Sequence, residues 1–206
     1  MASQSQPLRV SELRAAERVT MVTTPEHVLM DRAALAVAGE ATGAHRVAVL
    51  AGRGNNGGDA LLAGSLLAGR GCSVTAVLLA PDAHARGLSE LTKAGGQALE
   101  WVTDPEEAAF AIASADVVID GIVGLGGAEG LREDAQAAVS AIKPGTTVIS
   151  VDLPSGLNPD SGSADHPHVT ADITVTFTAP KLCLMLEPAK ASAGRVVIAD
   201  VGVDLP

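Results

Sequence analysis

Three carboxylates in this sequence stand where a small ligand could reach them. Asp59 ends a glycine-rich turn, Asp120 follows the apolar run 117–119, and Asp152 follows the largely apolar run 148–151. Carboxylates placed in this way can act as general acids or bases, or can bind a cation. Each can also be structural, because short acidic side chains cap helices and brace turns.

The turn at residues 52–59 reads Gly-Arg-Gly-Asn-Asn-Gly-Gly-Asp. Its glycines match a dinucleotide-binding fingerprint, with Gly52 for the tight turn and Gly54 for close approach of the backbone to a ligand. We expect a helix from residue 59, which places Asp59 at the helix start. There its carboxylate would cap the helix or compete with a phosphate for the positive potential of the helix N-terminus. The turn therefore predicts a ligand other than a bare pyrophosphate. It is not a P-loop, because no Gly-Lys-Ser/Thr follows it.

The other two carboxylates precede flexible segments. Five glycines lie between residues 121 and 130, and a Pro-Ser-Gly turn follows Asp152 at residues 154–156. Ligands of open α/β sheets bind beyond the carboxyl ends of the strands. We therefore expect both carboxylates and the turn at 52–59 to face one crevice and to form a small-molecule site.

Short apolar runs alternate with helical patterns from residue 46 onward. This alternation is typical of an α/β fold with a mostly parallel sheet and helices on both faces. Proline residues between the last two strands predict a hairpin-like or edge pair instead of a further crossover. The predicted strands are 46–51, 73–80, 98–102, 116–120, 146–151, 172–178 and 195–201, and the predicted helices are 59–69, 84–95, 104–113 and 130–142.

The first 43 residues predict two helices that pack on the rest of a single domain spanning residues 1–206. One helix lies within residues 8–20, with Ser11 as its N-cap, and the other runs from Pro25 to about Ala41. The amphipathic spacing of apolar residues predicts that they cover one face of the sheet.

Composition excludes several classes of function. A net charge of −10 and the scarcity of aromatic residues oppose binding to nucleic acid or to anionic lipid. The sequence has no membrane-spanning run, and its polar beginning and two isolated cysteines predict a cytoplasmic protein. An anionic nucleotide would need backbone N–H groups and cations such as Arg53, Arg132 and Lys181. His166 and His168 could bind a metal, although two histidines in a polar loop are more often exposed.

Taken together, these segments resemble the NAD(P)HX epimerase family, also called the YjeF N-terminal domain. The resemblance is carried by Asn-Asn-Gly-Gly-Asp at 55–59, Asp120 with its glycine loop, Val-Asp-Leu-Pro-Ser-Gly at 151–156, Thr-Val-Thr-Phe at 174–177, and Pro180-Lys181. It implies a Rossmann-like three-layer αβα sandwich that interconverts the R and S epimers of hydrated NADH and NADPH at C6 of the nicotinamide ring. It also implies a bound potassium ion, a homodimer, and a fused or separate ADP- or ATP-dependent dehydratase as partner.

The resemblance also implies roles for individual residues. From the chemistry of the reaction itself, we expect Asp152 to be the acid and base catalyst and Lys181 to assist it electrostatically. Potassium would bind Asn56, Asp120 and Ser155. Ala60 and the loop from Ile122 depart from the commoner pattern of the family. The implied substrate contacts are Asn55, Asn56, Gly57, Gly58, Asp59, Gly124, Leu125, Gly126, Gly127, Ala128, Glu129, Gly130 and Asp152.

Two other functions remain open from the sequence. A nucleotide-dependent oxidoreductase would require an acidic residue about 20 positions after the fingerprint, and Asp82 fits that spacing only loosely. A noncatalytic nucleotide-binding or scaffold domain would bind without turnover, and the intact Asp120 and Asp152 argue against it.

Overall fold

The computed structural model describes residues 6–205 and contains a seven-stranded parallel sheet. Its strands are β1 (Arg46–Ala51), β2 (Ser73–Leu78), β3 (Gln97–Glu100), β4 (Val117–Gly121), β5 (Thr147–Val151), β6 (Ile173–Phe177) and β7 (Arg195–Ala199). The order across the sheet is β3-β2-β1-β4-β5-β6-β7, and all neighbours run parallel. The strand order reverses between β1 and β4, which opens a crevice at their carboxyl ends.

Helices cover both faces of this sheet. They are α1 (Val10–Thr20), α2 (Glu26–Glu40), α3 (Gly54–Gly69), α4 (Ala85–Lys93), α5 (Pro105–Ala113) and α6 (Glu133–Ser140). Side chains of β1 alternate, so that Val47 and Val49 pack with α2 and α3, whereas Ala48 and Leu50 pack with α5 and α6. This burial on both sides confirms the predicted α/β fold with its three Rossmann-like αβα layers. Within residues 6–205, no helix is long and apolar enough to cross a membrane.

Helix α1 is capped differently from the prediction. Arg9 is the N-cap residue, and Ser11 lies inside the first turn. The Glu12 carboxylate accepts a hydrogen bond of 2.8 Å from the Arg9 N–H, and Asp160 accepts one of 2.9 Å from the Val10 N–H. Because Asp160 is 150 residues away along the chain, local sequence could not reveal its contribution to the cap.

Helix α3 begins earlier than the sequence indicated. It starts at Gly54 instead of residue 59, so Asp59 lies in the second turn and does not cap the helix. Glycine makes this early start possible: a Cβ on Gly57 would lie 2.1 Å from the carbonyl oxygen of Gly52. The first turn of α3 therefore lies directly against the end of β1.

The prediction of a hairpin-like pair at the end of the chain is wrong. β6 and β7 run parallel, although β7 does form an edge of the sheet. The crossover between them uses two short 3₁₀ turns, Leu182–Leu184 and Ala189–Ser192, in place of an α-helix. Their apolar residues form a small core with Leu153 and Leu157, which gives this proline-containing segment a buried face without helical periodicity.

Candidate functional site

A cavity of about 630 Å³ opens at the carboxyl ends of β1, β4 and β5. Its walls come from α1, α2, the start of α3, the loop at 122–131 and the chain beyond β7. Among the sequence-predicted contacts, the cavity is lined by Asn55, Asn56, Asp59, Gly124, Leu125, Gly126, Gly127, Ala128, Gly130 and Asp152. The structure therefore brings the turn at 52–59, the glycine loop and Asp152 to one cavity. Asp120, which was also expected to face the crevice, is fully buried and does not line it.

Other predicted contacts lie outside the cavity wall. Gly57 and Gly58 are buried, and a Cβ on Gly58 would lie 2.7 Å from the His84 ring. Glu129 is exposed, and its carboxylate accepts a hydrogen bond of 3.3 Å from Ser163. In this conformation these three residues support the site from behind or beside it instead of lining it.

Asp152 and Lys181 form a buried ion pair. Their side chains are 9% and 2% exposed. Lys181 Nζ also donates to Thr176 Oγ1 at 2.8 Å and to the carbonyl oxygen of Phe177 at 3.2 Å, while Thr176 Oγ1 donates to Asp152 Oδ1 at 3.3 Å. Asp152 has a left-handed backbone with φ of 69°, which is costly for a residue other than glycine. This strained turn places the carboxylate between the cavity and Lys181.

Asp120 lies deeper, at the end of β4. Its carboxylate accepts hydrogen bonds from Ser150 Oγ at 2.7 Å, from the Ser155 N–H at 2.9 Å, and from Ser155 Oγ at 2.6 Å. Burial raises the pKa of Asp120, and these donors oppose the effect only in part. Among residues 6–205, no cationic side chain forms a salt bridge with Asp120.

Several oxygen atoms lie close together around Ser155, with too few protons to join them all by hydrogen bonds. Ser155 Oγ lies 2.6 Å from Asp120 Oδ1 and 3.0 Å from the Val123 carbonyl oxygen, and its single proton can serve only one of them. The side-chain oxygen of Asn56 lies against the glycine loop, since a Cβ on Gly124 would be 2.8 Å from it. Carboxylate, hydroxyl and carbonyl oxygens are ligands that hard cations prefer. Asp120, Ser155 and Asn56 therefore supply donor types that suit a hard cation.

Asp59 also lines the cavity, and it is only 7% exposed. Its Oδ1 has no hydrogen-bond partner within the described chain, and neither has the buried Nδ2 of Asn56. Burial raises the pKa of Asp59 well above its ordinary value, and the charges of Asp152 and Glu26 raise it further.

Charges of both signs surround the cavity. Glu17 of α1 lines it, and burial together with the charge of Asp152 raises the pKa of Glu17. Glu26 of α2 accepts a hydrogen bond of 2.6 Å from Asn55 Nδ2. Arg53 and Arg132 also line the cavity. Arg53 pairs with Asp82 at 3.5 Å, and Arg132 pairs with Asp134 at 3.3 Å and donates to the Leu79 carbonyl oxygen at 2.9 Å.

The histidine pair in the loop at 165–168 does not form a metal centre. His168 Nε2 hydrogen-bonds Ser192 Oγ at 2.9 Å, and its Nδ1 lies 2.7 Å from the His166 carbonyl oxygen. In the described part of the chain, no group of three or more His, Cys, Asp or Glu side chains is arranged to hold a metal ion.

Comparison with known families agrees with this geometry. The model of the family described as "YjeF-related protein N-terminus" matches residues 26–183, which include all three carboxylates and the glycine loop. This chain belongs to that family. The YjeF-related match also covers Lys181, the partner of Asp152.

Several proteins are similar to this YjeF-related chain. The NAD(P)H-hydrate epimerase of Clavibacter michiganensis is 39% identical over 95% of this chain and 90% of its own length. The bifunctional NAD(P)H-hydrate repair enzyme Nnr of Mycobacterium tuberculosis is also 39% identical over 95% of this chain, which spans only 41% of that longer protein. The crystal structure of the yeast protein ynu0 has the same fold, with a TM-score of 0.77 at 19% identity, over 94% of this chain and 87% of its own.

Sequence reasoning missed some residues of this YjeF-related site. Thr176, which links Asp152 and Lys181, was part of the resemblance but received no role. Glu17 and Glu26 lie on helices that were expected only to cover the sheet, and their approach to the cavity depends on how α1 and α2 pack. Arg14 of α1 donates to the Leu125 carbonyl oxygen at 3.2 Å, a contact that no local pattern indicates.

Proposed function

We propose that this protein epimerises hydrated NADH and NADPH, collectively NAD(P)HX, at C6 of the nicotinamide ring as part of cofactor repair. The main support is Asp152, which lines the cavity and forms a buried ion pair with Lys181, in a family whose similar member from Clavibacter is named NAD(P)H-hydrate epimerase. The cavity volume of about 630 Å³ lies in the range of small-molecule sites.

The reaction requires proton transfer and charge stabilisation. Protonation of the C6 hydroxyl lets it leave as water, and the lone pair of the ring nitrogen then forms an iminium with C6. Water can add to either face of this planar carbon, which inverts or restores the centre. We assign proton transfer to Asp152, with Lys181 holding its carboxylate in position. The Asp152 charge also stabilises the cationic iminium.

The rest of the substrate is anionic, and the site offers matching groups. The first turn of α3 lies at the cavity, where its N-terminal dipole favours negative charge. Arg53 and Arg132 are two cations of the cavity wall with largely exposed side chains. Leu125 and Ala128 belong to the glycine-rich loop that covers one side of the cavity. We assign the pyrophosphate to the arginines and the helix terminus, and we assign loop 124–130 to covering the ligand.

We propose potassium as the resident cation, held by Asn56, Asp120 and Ser155. A bound cation would supply positive charge beside a buried carboxylate and hold the loop after β4 against the turn after β5. Asp120 needs such compensation, because a fully buried carboxylate with only neutral donors is costly. The oxygen atoms near Ser155 provide the ligand type that potassium prefers.

We also propose a cellular setting for the reaction. The longer Mycobacterium relative is named as bifunctional, which supports an ADP- or ATP-dependent dehydratase as a fused or separate partner that consumes one epimer. We propose a homodimer, as the family resemblance implies, and a cytoplasmic location, which the two isolated cysteines favour. The acidic charge of −10 supports neither nucleic acid nor an anionic membrane as a partner.

The test supplies purified protein with R-NADHX in potassium buffer and follows the R:S ratio by chromatography. Wild-type protein should bring the mixture to equilibrium faster than buffer, and Asp152→Asn should lose about 10²–10⁴-fold in rate. Asp204→Asn, which removes an exposed carboxylate, is the matched control and should keep the wild-type rate. Binding without acceleration by wild type would instead support a noncatalytic sensor or scaffold, and hydride transfer to added NAD would support an oxidoreductase.

A further inference from the structure

Asp59 is a buried carboxyl group whose surroundings do not support a negative charge. It lies in the second turn of α3, is only 7% exposed, and contributes to the cavity wall. Its Oδ1 has no hydrogen-bond partner within residues 6–205. An ionised carboxylate that is buried with an unpaired oxygen is unfavourable, whereas the protonated acid avoids most of this cost.

The charged groups around Asp59 are mainly negative. Burial and the charges of neighbouring carboxylates raise the pKa of Asp59 well above its ordinary value. His84 approaches the adjacent Gly58, but the ring Nδ1 of His84 accepts from the Gly87 N–H and caps α4. Lys181 directs its ammonium toward Asp152 and Thr176. The carboxylates that act on Asp59 are Asp152, Glu26, Glu17 and Asp31, in decreasing order of influence.

Asp152 has the opposite environment. Its carboxyl group forms the buried ion pair with Lys181, and the Thr176 hydroxyl donates to the same oxygen. The cavity wall therefore includes two carboxyl groups from different elements: Asp59, with one oxygen unpaired, and Asp152, paired with an ammonium group. Environments that separate two carboxyl groups in this way commonly mark a division of acid and base roles.

We propose that Asp59 is the general acid of the epimerisation and that Asp152 is the base that accepts a proton from the incoming water. This inference rests on the proposed function and divides between two residues the acid and base roles that the sequence assigned to Asp152 alone. Each residue would face one side of the nicotinamide ring, so that hydroxyl leaves from one face and water enters from the other.

The proton and electron balance is complete without a further reactant. The Asp59 proton bonds to the C6 hydroxyl oxygen, and the C6–O bond breaks with its electron pair moving to that oxygen. The ring nitrogen lone pair forms the C=N bond of the iminium. Water then bonds to C6 from the opposite face, the C=N electron pair returns to nitrogen, and a water proton passes to Asp152. Proton exchange with solvent returns Asp59 to its protonated form and Asp152 to its ionised form. In the reverse conversion Asp152 supplies the proton and Asp59 accepts one.

The deciding variant is Asp59→Asn, which keeps the size of the side chain but cannot supply an acid proton. We expect the turnover rate for R-NADHX to fall by about 10²–10⁴-fold, with substrate affinity changed only a few-fold. Wild-type kcat/KM should fall as pH rises through the raised pKa of Asp59, because the acid is then ionised. That decline should be absent from the residual activity of Asp59→Asn. Asp204→Asn provides the control for loss of one negative charge.

A second measurement does not depend on turnover. Infrared spectra at neutral pH should contain a protonated-carboxyl band that disappears in Asp59→Asn and remains in Asp204→Asn. An ionised Asp59 in these spectra, or a wild-type turnover rate in Asp59→Asn, would overturn the assignment of Asp59 as the acid. A wild-type protein that fails to epimerise R-NADHX would instead remove the proposed function, and the spectra would still show the charge state of Asp59.

Discussion

Asp152 carries two energetic costs at a single position. Its backbone has a φ of 69°, and its carboxylate is removed from solvent beside the cavity. Lys181 offsets the second cost by pairing its ammonium with the carboxylate. The same ammonium also donates to Thr176 Oγ1 and to the Phe177 carbonyl oxygen, which holds it in place. Strained and buried charged residues persist when surrounding contacts fix them, which is a frequent feature of functional sites.

This pairing predicts how the two residues affect stability. Lys181→Met should lower the free energy of unfolding by about 3–5 kcal/mol, because it leaves the Asp152 charge buried without its partner. Asp152→Asn should be similarly destabilising, whereas the double variant should recover much of the loss. Denaturant unfolding at pH 7 measures each value, with Asp204→Asn as control. A double variant that loses the sum of the two single effects would show that the residues do not stabilise one another.

At the scale of elements, the sequence predicted best where burial alone decides the structure. The strand predicted at 46–51 is confirmed by β1, because residues buried on both faces form a continuous apolar run. The start of α3 was missed, since its glycines have low helix propensity but are needed for contact with Gly52. The β6–β7 crossover was also missed, because 3₁₀ turns have no helical periodicity.

The proposed potassium ion would connect three such elements. Asn56 comes from α3, Asp120 from β4, and Ser155 from the turn after β5. Replacing potassium with tetramethylammonium at equal ionic strength should therefore lower the melting temperature by about 2–4 °C, if the ion contributes about 1 kcal/mol. Calorimetry measures this shift, and Ser155→Ala should reduce it.

Comparing the melting temperatures of each variant in the two salts separates loss of ion binding from a general loss of stability. Ser114→Ala, at the end of α5, should keep the full difference between the two salts, because Ser114 lies outside the cation site. Equal melting temperatures of the wild-type protein in both salts would contradict a bound potassium ion.

At the scale of the whole molecule, the cavity joins parts of the chain that are distant in sequence. Ala16 of α1 packs with Ala33 of α2 and with Val201 and Val203 beyond the last strand. The sequence pointed to the positions of Asp59 and Asp152 in the cavity wall, since each follows a recognisable turn or strand end, whereas Asp120 is buried and does not line the cavity. The unpaired oxygen of Asp59 and the approach of Glu17 could not be predicted, because both depend on packing between helices.

Arg14 provides a test of how contacts between distant parts of the chain shape the cavity. Its guanidinium donates to the Leu125 carbonyl oxygen at 3.2 Å across 111 residues of sequence, and so connects α1 to the glycine-rich loop. Arg14→Gln should raise KM for R-NADHX by about 3–10-fold, as expected for loss of one exposed hydrogen bond to a charged group. The value of kcat should change little, because Arg14 is not proposed to transfer a proton. Arg18→Gln removes the same charge from the exposed side of α1 and should leave KM unchanged. Equal KM values for Arg14→Gln and wild type would show that α1 does not hold the loop in its binding position.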